Sequence, residues 1–382
     1  MPERRIYWQR NNFMKKIIFS TVTLAGTIIG VGVFSLPYIT FKVGFKTILI
    51  YFLFLIPLVA LVQVFFGRLV LETPDFKRLP GIVRVHLGET GEKIAYFSTF
   101  FSLLGSLLAY LIVGGGFLKE LLNPFFGGGN LLYTCFYFIF GSLLIFFGIK
   151  TIEKIELLSL ILFFLVLIGV FFKGRILINS ENLFLGSSFS HFKDLFLPYG
   201  PLLFSFWGAS LIPEVEEMLK EKRKEISKVI ISAILISALF YLFFIYLILG
   251  ITGVSTTENA LSGLKGKLGN DIFSLSLLMG ILTTFTSFIT LGLTLKKILW
   301  YDLKLKKTVS FLVASLLPFF LFLLGVKRFI PVVSFVGSIC FGINGILILL
   351  MYHKKIAPKS FFPWILILIL LAGIFYEIIF HL

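Results

Sequence analysis

The stretch Ser20-Thr-Val-Thr-Leu-Ala-Gly-Thr-Ile-Ile-Gly-Val-Gly-Val-Phe-Ser-Leu-Pro-Tyr38 lies inside an apolar run long enough to cross a bilayer. It is poorly suited to an unbroken helix. Gly26, Gly30 and Gly32 gather at its centre with Pro37 beyond, and each glycine costs a helix about 1 kcal/mol relative to alanine. Backbone freed from helical bonding at membrane depth is tolerated only where it faces protein or a wet cavity, so a break here marks a binding site. Gly26 and Gly30 also have the spacing by which membrane helices pack closely. Both readings stand on this segment alone, and they are compatible.

Working outward, the composition sets the class. The 382 residues are 58% hydrophobic and 14% charged, with a mean hydropathy of +1.01, which excludes a soluble domain and implies a polytopic membrane protein. The net charge of +16 does not indicate nucleic acid, because there is no soluble basic surface interleaved with aromatics to receive it. Cys135 and Cys340 fall in apolar runs and read as small core residues, not a disulfide framework. The first apolar run lacks a small-residue cleavage site and reads as a retained helix.

A spanning helix needs about 20 apolar residues. Eleven segments meet that measure: 16–38, 46–70, 94–121, 130–149, 153–172, 196–219, 227–251, 271–296, 308–325, 329–351 and 362–381. We refer to them as spans one to eleven. Most of the 35 Lys and Arg residues fall on one side of this arrangement, including Arg4, Arg5, Lys15, Lys16, Arg78, Arg84, Lys150, Arg223, Lys224, Lys306 and Lys354. The positive-inside rule then places the N-terminus in the cytoplasm and the C-terminus outside. The inner connection Glu72–Lys93 is expected to be broken by Pro80-Gly81 and followed by a short amphipathic piece, with His86 a solvated loop residue. The outer connections 173–197 and 252–270 are long enough to cover a vestibule.

Span six opens as Pro198-Tyr-Gly-Pro-Leu-Leu-Phe-Ser-Phe-Trp-Gly-Ala-Ser-Leu-Ile-Pro-Glu214, and Ser205, Gly208 and Ser210 weaken its centre while Pro213 is expected to end regular bonding. Spans one and six are therefore both interrupted, and five spans separate their starts. Because five is odd, two five-helix units must run in opposite directions, the inverted-repeat arrangement in which paired discontinuous helices carry the substrate. The expected units are 1–172 and 173–351, with 352–382 as a peripheral span eleven.

Four motifs carry a resemblance: Ala25-Gly-Thr-Ile-Ile-Gly-Val-Gly-Val-Phe-Ser-Leu-Pro-Tyr38, Ala109-Tyr-Leu-Ile-Val-Gly-Gly-Gly116, Phe206-Trp-Gly-Ala-Ser-Leu-Ile-Pro-Glu214 and Thr286-Ser-Phe-Ile-Thr-Leu-Gly-Leu293. They resemble the amino acid/polyamine/organocation superfamily, close to the aromatic and hydroxy amino acid permeases and the amino acid-auxin permeases, over essentially the whole chain to span ten. The resemblance implies an all-α leucine-transporter fold. In such a fold the N–H groups of Val31 and Gly32 hold a substrate carboxylate at a helix N-terminus. Gly30 belongs to the same break, and the carbonyls of Thr27, Ile28, Phe204 and Phe206 accept from an ammonium. Ser205 and Gly208 complete the second break. Tyr110 is expected to gate the site from span three, against the alternative of an ordinary core tyrosine. Phe204, Phe206 and Trp207 would wall the side-chain pocket, although any one aromatic in this chain is as readily packing.

The expected function is secondary transport of a neutral, apolar or aromatic amino acid by alternating access, in a bilayer, with no nucleic-acid partner, no organic cofactor and a monomer as the working unit. A membrane sensor that binds without flux would use the same site. An enzyme is not expected, since no paired carboxylates, metal cluster or activated nucleophile is visible, and no filter motif suggests a channel. The middles of the spans carry no ionisable residue; Glu377 reads as interfacial, and Gln63 and Asn344 as interhelical hydrogen-bonding groups. For the coupling ion, span five lacks the core lysine that replaces sodium in proton-coupled relatives. A sodium ion wants oxygen ligands; the carbonyls of Gly26, Ile29 and Thr283 with the hydroxyls of Thr286 and Ser287 would supply them. Sodium is preferred, while protons or uncoupled exchange remain open, because a Thr-Ser pair also occurs in proton-driven relatives.

Overall fold

The computed structural model describes residues 2–74, 76–148, 152–185 and 195–381. Lys150 and positions 186–194 of the long outer connection lie outside them. Among the described residues all regular structure is helical, with no strand, as apolar segments in lipid require when each must satisfy its own backbone. Seven helices are long and apolar enough to cross a membrane, and an eighth span arises if the bent pair Met14–Ile28 and Val31–Val43 is taken as one. The remaining expected segments hold Ile152–Gly174, the pair Tyr199–Phe206 and Ile212–Leu219, and Lys307–Leu323.

Both interruptions are present. Span one runs helically to Ile28, passes through Gly30 in an extended conformation (φ −104°, ψ −155°), tightens over Val31–Ser35 and resumes as Leu36–Val43. The two halves meet at a 48° bend. Span six stops at Phe206, where Trp207 is extended (φ −81°, ψ 106°), and resumes through Ala209–Leu211 into Ile212–Leu219. Pro213 does not end this span: it sits in the first turn of the inner half-helix, where a missing N–H costs nothing.

The inner connection differs from expectation in the same way. Pro80 and Gly81 lie in the first turn of Leu79–Phe126, and the interruption falls instead at Gly88, whose φ of 81° favours glycine. The short helix before Gly88 lies against the inner end of span ten, where Lys354 Nζ donates to the His86 carbonyl at 2.9 Å. His86 Nε2 lies 3.1 Å from Thr73 Oγ1, so the residue is tied to two neighbours and not simply solvated. Span ten is also not a plain helix: Phe329–Phe335 passes through a π-helical turn, Val336–Phe341, into Gly342–Lys355. At that turn Gly337 approaches the carbonyl of Gly200 so closely that no side chain would fit.

The core that holds span one against its neighbours is aromatic. Phe34, 1% exposed, makes edge-on contacts with Phe117, Phe163 and Phe244 of spans three, five and seven. Such pairs contribute about 0.5–1.5 kcal/mol each beyond simple burial, which fixes the outer half of the broken span. Gln63 and Asn344 do bond across helices: Gln63 Nε2 donates to the Phe206 carbonyl at 2.9 Å, and Ser98 Oγ donates to Asn344 Oδ1.

Candidate functional site at two interrupted helices

The break in span one exposes donors. The first N–H groups of a helix have no internal partner, and here the Val31 N–H is met by the hydroxyl of Tyr110, 3.2 Å away and buried. Tyr110 thus lies across from the break, as the resemblance implied. A Cβ at position 30 would stand 2.7 Å from the Tyr110 hydroxyl, so any larger residue would have to displace the hydroxyl that meets Val31. At Gly32 a Cβ would stand 2.5 Å from Ser205 Oγ, 2.9 Å from Phe204 Cδ1 and 3.0 Å from Ser205 Cα. The space beside Gly32, expected to admit a ligand, is in this arrangement filled by span six. Gly30 and Gly32 thus pack closely against spans three and six at the break itself.

The break in span six exposes acceptors. The last carbonyls of a helix are likewise unpaired, and those of Ser205 and Phe206 close the half-helix Tyr199–Phe206. Gln63 serves Phe206. Tyr241, fully buried on span seven, places its hydroxyl 2.7 Å from the Ser205 carbonyl and also 2.7 Å from the Ile28 carbonyl at the end of the first half of span one. Gly208 sits where a Cβ would meet Ile28 Cγ1 at 2.7 Å and Gln63 Oε1 at 3.2 Å. Ile28, Gly30, Val31, Gly32, Tyr110, Phe204, Ser205 and Gly208 are therefore brought to one junction.

Sequence reasoning missed Tyr241 altogether: in a chain with 13 Tyr nothing distinguishes it until the fold places it between the breaks. Gln63 was visible as a polar residue in an apolar run, but its position was not. Its Oε1 is buried with no hydrogen-bond partner, an unmet acceptor beside the junction.

The aromatics divide. Trp207 stacks on Phe341 (5.0 Å between centroids, 10°), and Phe204 stacks on the same ring at 5.8 Å, so these two form one wall with span ten. Phe206 does not join them; fully buried, it packs edge-on against Phe52 and Tyr241. Thr27 has an exposed side chain, its hydroxyl bonded to the Thr23 carbonyl, while its own carbonyl oxygen lies 3.8 Å from where a Cβ at Gly30 would stand.

The residues assigned to sodium are less closely gathered. Thr283, Thr286 and Ser287 are buried on one face of span eight, which packs chiefly against spans three and five. The Thr283 hydroxyl donates to the Met279 carbonyl at 2.8 Å, and that of Thr286 is directed at the Leu282 and Thr283 carbonyls at 3.1 Å. No group of three or more His, Cys, Asp or Glu that could hold a metal occurs among the described residues. Glu377 is not interfacial in the sense of being exposed: it is 2% exposed and accepts from Ser334 Oγ at 2.7 Å and Ser338 Oγ at 3.2 Å. A cavity of about 140 Å³ lies beside the Glu72–Lys93 connection, lined by Thr73, Lys77, Pro213, Glu216 and Arg223 and by none of the residues at the two breaks.

Two interrupted helices meeting at their broken ends are the arrangement of the leucine-transporter fold. Solved structures of that class superpose on the chain: MhsT in complex with L-phenylalanine, with a TM-score of 0.63 at 13% identity over 94% of this chain and 96% of that one; and MHP1, a nucleobase-cation-symport-1 family transporter in a closed conformation with bromovinylhydantoin bound, with a TM-score of 0.65 at 10% identity over 90% and 79%. The chain belongs to the tryptophan/tyrosine permease family, whose model matches residues 14–379, and so to a family of integral membrane transport proteins and not of enzymes. Tyrosine-specific transport system 1 of Haemophilus influenzae is 31% identical over 156 residues, which span 40% of this chain and 37% of that protein.

Proposed function

We propose that the chain is a secondary transporter of neutral aromatic amino acids, with tyrosine as the first substrate to test. The observation that carries this reading is the junction itself. It offers a main-chain donor at Val31, main-chain acceptors at Ile28, Ser205 and Phe206, and an aromatic wall of Phe204 and Trp207, with no charged side chain among them; the Gly32 N–H would join Val31 once span six moves away. Such a site suits a zwitterion with an apolar or aromatic side chain, since an unpaired buried charge is costly. The names of the family and of the Haemophilus relative support the same class.

Opening of the junction would follow rocking of spans one, two, six and seven against the rest. The two inverted units are taken as 1–172 and 173–351, with the N-terminus cytoplasmic. Sodium is the coupling ion we favour: hydroxyls of Thr283 and Thr286 that direct their protons along their own helix leave lone pairs for a cation. A second reading, proton coupling, is favoured by one observation, the buried Glu377 carboxylate with its two serine donors.

Counterflow of labelled L-tyrosine in proteoliposomes tests transport, with sodium against choline at fixed pH. Exchange that phenylalanine and tryptophan inhibit, and that lysine and glutamate do not, is expected. Binding without exchange would leave a sensor, and sodium-independent exchange would transfer the coupling to protons or abolish it.

A further inference from the structure

Two carbonyls from different membrane spans converge on one point. Ile28 closes the first half of span one and Ser205 lies in the last turn of the first half of span six. Both are helix C-terminal ends, each carrying a partial negative charge, and both oxygens stand 2.7 Å from the Tyr241 hydroxyl oxygen. A third carbonyl of the same end, Phe206, is taken by Gln63. Like ends repel, and oxygens converging at membrane depth are the arrangement that a small hard cation satisfies. The Ile28 carbonyl also accepts from the Gly30 N–H at 2.8 Å, and a phenol has one proton for the two carbonyls, so the hydroxyl bridges the two ends without bringing a net charge.

We propose that the Tyr241 hydroxyl is a built-in, neutral stand-in for a cation, tying the two broken spans to each other and to span seven. Tyr241 is then a positioning residue: it sets the separation of the two breaks, and hence the ligand site, without forming its wall. Its ring is fixed for this task, standing edge-on to Phe206 at 4.9 Å with no exposed surface. The inference concerns the junction identified above as the ligand site, yet its first test needs no ligand, so failure of the substrate assignment and failure of this proposal are distinguishable.

The test compares the purified ligand-free wild type with Tyr241→Ser and Tyr241→Phe. Melting temperatures are measured in sodium chloride and in choline chloride at equal ionic strength, each in a Thr286→Ala background to silence span eight. Tyr241→Ser empties the space between the carbonyls, and its melting temperature is expected to rise by several degrees in sodium relative to choline. Wild type and Tyr241→Phe, in which a ring still fills the space, should not respond. An equal response in all three proteins would overturn the proposal.

Tyr241→Phe provides an independent arm if the serine variant does not fold. It keeps the ring and removes only the bridging proton, so L-tyrosine affinity is expected to fall at least tenfold in sodium and choline alike. A Tyr241→Phe protein with wild-type melting temperature and wild-type affinity would contradict the proposal, because the hydroxyl would then position nothing.

Discussion

The two interruptions are opposite in kind. In span one the break is made by absent side chains, and what it frees at Val31 is a donor, met by the Tyr110 hydroxyl. In span six the break falls between bulky residues, Phe206 and Trp207, and what it frees are acceptors, met by Tyr241 and Gln63. The break in span one thus presents a donor at Val31 and an acceptor at Ile28, whereas that in span six presents acceptors at Ser205 and Phe206. Under the proposed function a zwitterion would be held by helix ends of both spans, and neither break alone would suffice.

The largest expected effect breaks the contact between them. Gly32→Val would force a branched side chain against Ser205 Cα, which is backbone and cannot turn aside. We expect loss of uptake and a destabilisation on the order of 3 kcal/mol from overpacking, read as a large fall in melting temperature. Gly208→Ala is the control on the other side: its Cβ meets side-chain atoms of Ile28 and Gln63 and no backbone, so the loss should be smaller, about 1–2 kcal/mol, with measurable uptake retained. Equal effects would mean that the two breaks are not packed as described.

Next in size is Tyr110→Phe, which leaves the buried Val31 N–H without its acceptor at a cost of about 1–3 kcal/mol. Gln63→Leu should cost less, about 1 kcal/mol, because removing the amide also removes the unmet Oε1 acceptor that the wild type already carries. Chemical denaturation or thermal unfolding of the two variants should preserve that order. A Gln63→Leu protein less stable than Tyr110→Phe would show that Oε1 is satisfied in the working protein.

The smallest effect lies outside the junction. Burial, and then the nearby Lys355 and Lys354, lower the pKa of His86 below its ordinary value of about 6.5. The unfolded chain then binds more protons than the folded one as the pH falls through that range. The stability linked to His86 is therefore present above about pH 6.5 and lost on acidification towards its folded pKa. Thermal unfolding at pH 7.5 and 5.5 should show a small acid-side loss in the wild type that His86→Gln reduces.

What was legible in the sequence follows the same contrast. The break in span one could be read because glycine clusters are rare enough in an apolar run to be a signal. That in span six could be located from Ser205, Gly208 and Pro213, but the role of Pro213 could not, since a proline that ends one half-helix and a proline that begins the next look alike. The partners of the freed groups were half visible. Tyr110 came from a motif, whereas Tyr241 lies far along the chain from both Ile28 and Ser205, and only the packing of span seven brings its hydroxyl to them. The π-helical turn in span ten leaves no mark in hydrophobic pattern. Glu377 was misjudged because its nearness to the end of span eleven suggested exposure, while Ser334 and Ser338 of span ten enclose it.

The central claim is that one zwitterion bridges the two breaks, and a structure determined with L-tyrosine bound tests it most directly. The account predicts the carboxylate within hydrogen-bond distance of the Val31 and Gly32 N–H groups, the ammonium against the carbonyls of Ile28 and of the Ser205–Phe206 end, and the phenol ring beside Phe204 and Trp207. L-Tyrosine bound elsewhere, with Gly32 still closed against Ser205, would contradict it.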